Sequence, residues 1–498
     1  MQITSNTSGQ LWAGAAKVDI TNTAAGATDD PLDARIEVAT SNAPLYVKAL
    51  ILRCDTTTVV IITVDAVAIA EIGTIRNDYL ANVRVQLHKD LGIEPTNVLI
   101  NASHCHGVVC QDIEARTAQA AEEAWRNMVP VASGVGSGYE DRIMENRRLK
   151  LTNGREADVR RAYALPPDEQ VAGVGPIDPQ IGIMRLDKKD GQTLAVLYNF
   201  ACHPIQGVPS GGNTADLSGF ASKVIEDHSS DGTIAFFLQG CGADINPVLY
   251  KDVDHPPDAE PLGTMLGLSS LQALKKIESR EGGQLKLINE TLELPRADLA
   301  QPIDALQAEQ TRLLQSLRGT SLNLKTFIPL LVKYHLSDDF PSYASHRYLH
   351  EQKLGRDGLN TLDAENRKNL DHYIANIYIM EELTRIQINL DLLKKHQAKN
   401  LAAGRKTIGV EVVGLRVGDF VLLTFPGELP VQIGLGIKER SPHPFTFVSG
   451  VTNGYIYYTP TAEQLKNLGG AQEDSDCLLA PEWQPLFEGK VAKILQNL

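Results

Sequence analysis

Val98-Leu99-Ile100-Asn101-Ala102-Ser103-His104-Cys105-His106 is the stretch on which the fold turns. Its apolar opening predicts a buried strand, and the strand runs straight into two histidines one residue apart. The same form recurs outward from it. Val59–Val64 is a β-branched run that predicts a strand, with helix-like sequence following over Ile75–Leu91. Ala195–Phe200 predicts a strand ending at Cys202-His203-Pro204. A helix is expected over Phe220–Asp227, then a strand over Ile234–Leu238 that ends at Gly240-Cys241-Gly242. Residues 11–295 therefore read as alternating strands and helices, within one large α/β domain over 1–498 whose β-sheets are flanked by helices. Polar segments lie beyond its strand ends, where sites in such folds gather.

Farther along, the composition changes. Between about 298 and 400, Gly and β-branched residues thin out while Leu, Lys, Gln and Glu dominate. Ala364–His396 has apolar residues at three- and four-residue spacing, Ile377, Met380, Leu383 and Ile386 among them, which predicts one long helix. This helical insertion either packs on the core or lids a site, and long amphipathic helices usually only bury a face. Strands return at Val410–Val413, Phe420–Thr424 and Thr446–Val451. The Gly- and Pro-rich loop Pro204–Thr214 is expected at the surface near the site.

A chain of 498 residues, 43% hydrophobic, can bury a large core. Its 61 acidic and 47 basic residues give a net charge of −14. With no Lys/Arg cluster to override that balance, no nucleic-acid partner is expected. No run of 18 apolar residues occurs, so no membrane span is expected. The start, Met1–Asn6, lacks the basic and apolar regions of a secretion signal. The six cysteines form no CxxC pair and no dense framework, which argues against a disulfide scaffold. These features point to a cytoplasmic protein, unless a signal has been removed. Oligomeric state is not legible.

Four segments can carry chemistry. In an extended chain residues i and i+2 point the same way, so His104 and His106 can face one cavity. His203 stands at another strand end. Glu428 follows the Pro426-Gly427 turn after an apolar run, and Asn453–Tyr458 reads N-G-Y-I-Y-Y. Each has an ordinary alternative: hydrogen-bonded histidines, a solvated glutamate, a tyrosine-rich turn on the core. Together they supply two or three His and one Glu from separate strand ends. That set suits Zn²⁺, which takes imidazole nitrogen and carboxylate oxygen and can keep a position open for water.

On these residues the chain resembles the neutral/alkaline, non-lysosomal ceramidase family. The correspondences run in order. Gly14–Asp19 is similar to the family's G-x-[GA]-x-x-D opening, and Asn97–His106 to its N-V-x-x-[SN]-x-[ST]-H-x-H. Asn146-Arg147-Arg148 is similar to N-R-[SR], Phe200–Pro204 to F-x-x-H-P, and Asp216–Phe220 to D-x-x-G-[YF]. Phe237–Pro247, Pro426–Glu428 and Asn453–Tyr458 complete the series. The resemblance implies a zinc-dependent amidohydrolase acting on a small-molecule amide, with one Zn²⁺ held by His104, His203, Glu428 and Tyr458. It also implies that His106 stands near the water and the carbonyl, and that Arg147 lies on the substrate side. Tyr455 matches the first tyrosine of the N-x-Y-x-x-Y element, and Asp216 an acid that could orient His203.

The sequence also departs from the family's pattern. Ceramide-hydrolysing members carry Ser where Asn246 stands, so a serine nucleophile is excluded there. A metal-activated water is compatible, with Asn246 donating a hydrogen bond. Gly107-Val108-Val109 replaces Ser-Gly-Pro, Ala471 stands where a tyrosine is expected, and no room remains for an immunoglobulin-like C-terminal domain. Two alternatives follow. One is a zinc hydrolase of a small soluble ester or sugar derivative, to which polar loops around Arg147 and Arg160 would be suited. The other is a non-catalytic, zinc-stabilised binding protein.

Overall fold

The computed structural model describes residues 9–22, 43–159, 165–207, 213–248, 258–337, 339–341 and 344–498. Arg160 and the middle of the 204–214 loop lie outside the described residues. Eight strands make the larger sheet: β1 (Trp12–Asp19), β2 (Tyr46–Cys54), β3 (Thr57–Val64), β4 (Val98–Ala102), β5 (Val129–Tyr139), β6 (Gln180–Lys188), β7 (Thr193–Phe200) and β8 (Ile234–Gln239). They lie in the order β8-β7-β6-β5-β1-β2-β3-β4. A second sheet has the order β9 (Leu285–Pro295), β10 (Thr407–Val417), β11 (Phe420–Thr424), β12 (Phe445–Ser449).

The expected α/β alternation is present only at the sheet margins. The centre is antiparallel and built from short connections, such as the two-residue link between β2 and β3. Three pairs are parallel: β3 with β4, β7 with β8, and β11 with β12. Each needs a crossover, and each has one: helices Tyr79–Leu91, Asp216–Asp227 and Val431–Arg440. His104 follows β4, His203 follows β7 and Glu428 follows β11, so all three lie just past the carboxyl end of a parallel strand.

Alternation along β3 explains the uninterrupted apolar run. Val59 and Ile61 face the second sheet, meeting Leu415 and Leu422 in a shared core. Val60 and Ile62 face the other way, onto Val83 and Leu87 of a helix and Ala120 and Ala121 of the next. Both faces are covered, so both registers are hydrophobic. On the far side of the second sheet, Val421 and Leu423 pack with Trp483 and Phe487 of the last helix, Trp483–Asn497.

Between β9 and β10 run four helices: Ala300–Ser316, Leu324–Leu336, His346–Lys353 and the 45-residue Gly358–Ala402. Leu383, Ile386, Leu390 and Leu393 of the long helix pack on Leu306 and Leu313. Ile377 and Met380, expected on the same buried stripe, are exposed instead. Among the described residues no helix is long and apolar enough to cross a membrane. All six cysteines are free thiols.

Candidate metal centre

The chain leaves β4 and turns at once. His104 adopts φ 67°, in the left-handed region that side chains avoid. Its amide is held by the Ala66 carbonyl at 3.0 Å. This turn overrides the extended-chain expectation for His104 and His106. His104 is buried, whereas His106 is exposed at the rim, its ring centroid 6.2 Å from that of His104. His203 enters from β7, its ring centroid 4.9 Å from His104. Glu428 enters after the Pro426-Gly427 turn. A backbone bridge pairs it with Tyr458, and the Thr459 amide donates to the Glu428 carbonyl at 3.0 Å.

His104, His203 and Glu428 are all buried, with one ligand atom of each within 4.8 Å of the others. Nε2 of His203 lies 3.0 Å, and Nε2 of His104 lies 3.4 Å, from Glu428 Oε2. On the opposite edge of each ring, Nδ1 lies against a backbone carbonyl: Val67 at 2.6 Å for His104 and Ile245 at 3.1 Å for His203. All four ring nitrogens thus face oxygen acceptors. A neutral imidazole has one N–H, so two of those contacts lack a proton. Burial, followed by the neighbouring Arg147, pushes His203 down to about 4 despite Glu428 beside it. A divalent cation among the two Nε2 atoms and the carboxylate resolves the mismatch, with each Nδ1–H fixing its ring. The donor set therefore fits a metal ion of the zinc type.

The shell around these ligands is buried and polar. Tyr455 donates to Glu428 Oε1 at 2.5 Å. Arg147 is 1% exposed. It donates to Asn246 Oδ1 at 3.1 Å, to the Ala243 carbonyl and to the Tyr458 hydroxyl at 3.3 Å, and its Nε lies 2.6 Å from Glu473 Oε1. The resemblance placed Arg147 on the substrate side. The structure buries it against Tyr458 and Asn246. Asp216 differs as well. The His203 ring N–H goes to Ile245, while the Asp216 carboxylate accepts from the amides of Gly207 at 2.6 Å and Leu217 at 2.7 Å. It ties a loop to a helix start rather than orienting the imidazole.

Glu473 and Asp474 were not foreseen, and Arg148 was named only as part of the Asn146-Arg147-Arg148 element. Arg148 forms a fork on Asp474 at 2.8 and 3.0 Å, and its Nη1 lies 3.5 Å from Glu473. The segment that carries these acids is pinned by the long helix. Ser475 donates to Asn389 at 2.6 Å, Arg385 donates to the Gly470 carbonyl at 2.6 Å, and His396 lies 2.5 Å from Asp476. The long helix therefore buttresses the centre from behind. The one usable sequence signal was the adjacent pair Arg147-Arg148 in an acidic chain; Glu473 and Asp474 lie more than 300 residues away from it.

Solved structures place this architecture. A neutral ceramidase from Pseudomonas aeruginosa superposes with a TM-score of 0.61 at 15% identity, covering 98% of this chain and 75% of that one. The fold is that of the neutral ceramidases. A ceramidase in complex with C2 gives a TM-score of 0.62 at 16% identity with the same coverage. No protein-family profile and no curated protein matches the sequence. The ceramidase-like fold is thus retained at an identity where no family profile and no curated sequence matches.

Proposed function

We propose that the chain is a zinc-dependent hydrolase that cleaves a linear amide, with His104, His203, Glu428 and Tyr458 holding one Zn²⁺. The observation that carries this reading is the buried His104–His203–Glu428 group with both imidazoles tethered through Nδ1. Amide cleavage rests on the ceramidase-like fold, a warrant by analogy. When bound, the metal would activate a water and polarise the substrate carbonyl.

The protein's own groups do the rest. Tyr455 and the two backbone carbonyls hold the ligands in place, which keeps the centre pre-organised. Arg147 holds the Tyr458 hydroxyl and the Asn246 side chain in one buried network. His106 stands at the exposed rim, placed to exchange protons with substrate or solvent. Such a division, with buried ligands and a titratable group at the mouth, favours catalysis over a purely structural metal.

His203→Ala tests the reading. Metal content after dialysis and chelator-sensitive cleavage, assayed on a panel spanning a long-chain ceramide analogue and short polar amides and esters, should both disappear. A variant that kept its metal would remove His203 from the site. Wild-type protein that binds metal yet cleaves nothing on the panel would favour the non-catalytic alternative. Cleavage of esters alone would move the substrate class.

A further inference from the structure

An edge strand leaves one side of its backbone unpaired, and the larger sheet has two edges, β4 and β8. At their carboxyl ends both are covered by one segment, Ser449–Asn453, which leaves β12. On one side the Gly450 amide donates to the Gln239 carbonyl of β8 at 3.0 Å. On the other, the Ala102 amide of β4 donates to the Val451 carbonyl at 3.1 Å, and the Asn453 amide donates to the Ile100 carbonyl at 2.9 Å. The same segment holds the chain that leads to Glu428. The Phe425 amide donates to the Ser449 carbonyl at 2.9 Å, and the Val451 amide to the Gly427 carbonyl at 3.2 Å. Ligand segments from both sheets are therefore stitched along one seam.

Asn101 spans this seam. It is 2% exposed and stands three residues before His104. Its Oδ1 accepts from the Gln239 amide at 3.2 Å. Its Nδ2 lies 3.0 Å from Ser449 Oγ and 2.9 Å from both the Gly450 carbonyl and Thr452 Oγ1. One side chain thus ties the ends of β4, β8 and β12. Gln239 carries the link onward, since its Nε2 donates at 3.2 Å to the carbonyl of Cys202, the neighbour of His203. Around the amide the packing is apolar, with Leu99, Leu238 and Leu422 in a shared core. Apolar contact scales with area and has no direction, so by itself it lets strand ends slide. Hydrogen bonds to a buried amide have set lengths and angles, and leaving the amide unpaired is costly. Asn101 therefore selects one register of the three strand ends.

We propose that Asn101 is a positioning residue for the metal centre, setting where Glu428 of one sheet stands relative to His104 and His203 of the other. It acts through the seam rather than on the ion. Functional sites need their groups held to within about 0.5 Å, a tolerance that sliding sheets would exceed. The proposal rests on the zinc reading above.

Three variants of the full chain test it, each measured for Zn²⁺ affinity by competition with a chromogenic chelator, for the visible spectrum with Co²⁺ in place of Zn²⁺, and for its urea unfolding midpoint. Asn101→Leu keeps the bulk and removes the amide. It should weaken Zn²⁺ binding roughly tenfold or more, as loss of outer groups does at other metal sites, and should change the Co²⁺ bands. Ser449→Ala removes one hydroxyl from the seam, leaves Asn101 in place, and should show the same change in smaller measure. Val59→Ala truncates the apolar core between the sheets and supplies the control. It should lower the unfolding midpoint and leave Zn²⁺ affinity and the Co²⁺ bands as in the wild type. Wild-type affinity in both seam variants would overturn the proposal while leaving the zinc reading intact. So would an equal loss of affinity in Val59→Ala, which would reduce Asn101 to a contributor to stability. A wild type that takes up neither ion would overturn the zinc reading and this proposal with it.

Discussion

Replacing Glu473 by Ala should damage both the fold and the centre. Glu473 and Arg147 are 2% and 1% exposed, 2.6 Å apart, and Glu473 also lies 3.5 Å from Arg148. After the substitution Arg147 keeps Asn246, the Ala243 carbonyl and Tyr458, all uncharged acceptors, so its charge stays buried without its counter-ion. Breaking a buried pair from one side costs about 3–5 kcal/mol, far more than an exposed pair is worth. Lys466–Glu463, at 71% and 82% exposure, supplies the control. The assay is urea unfolding followed by tryptophan fluorescence, comparing Glu473→Ala with Glu463→Ala. Removing both charges, Arg147→Met with Glu473→Leu, should recover most of the loss, since the penalty belongs to the orphaned cation. Because Arg147 also donates to Tyr458, Glu473→Ala should weaken metal binding, by roughly tenfold or more if it acts as other outer groups of metal sites do. A loss of stability no greater than that of Glu463→Ala would refute the reasoning.

Two further outcomes follow from the same geometry. Tyr455→Phe removes the hydrogen bond to Glu428 Oε1 and should lower metal affinity about 10–100-fold with the fold intact, measured by competition with a chromogenic chelator. Burial lifts Asp216 to about 6 from 3.8, so between those values the native state holds more protons than the unfolded chain. Stability should therefore fall as pH rises from about 4 to about 6, and Asp216→Asn should flatten that part of the profile, read from unfolding midpoints.

The strands that place the ligands were legible because they are buried on both faces. Phe420–Leu423 and Val98–Ile100 are continuous apolar runs, and continuity survives any tertiary arrangement. Their pairing was not legible. A run covered on both sides carries no sign of parallel or antiparallel neighbours, so the antiparallel centre went unseen. His104, His203 and Glu428 drew attention because histidine and glutamate stand at strand ends, and the structure brings the three together. Their surroundings were not legible, for two reasons. A left-handed residue such as His104 reverses the side-chain direction that an extended chain predicts. The acidic segment Glu473-Asp474 reads as a solvated run, and only the fold brings two arginines to it.

The ligand segments are scattered, with His203 and Glu428 separated by 225 positions. A ribosome must release the chain past Glu428 before the last of these groups can meet the first. On the proposed reading, metal capture follows the docking of the two sheets and the pinning of the 470s by the long helix. Loop closures of this span are slow relative to local helix formation. The final helix, whose Trp483 and Phe487 pack on Phe425, sits three residues from Glu428 in sequence terms through that contact. Defects far from the histidines, in the helix Trp483–Asn497, should thus surface, on the proposed reading, as folded protein of lowered metal content.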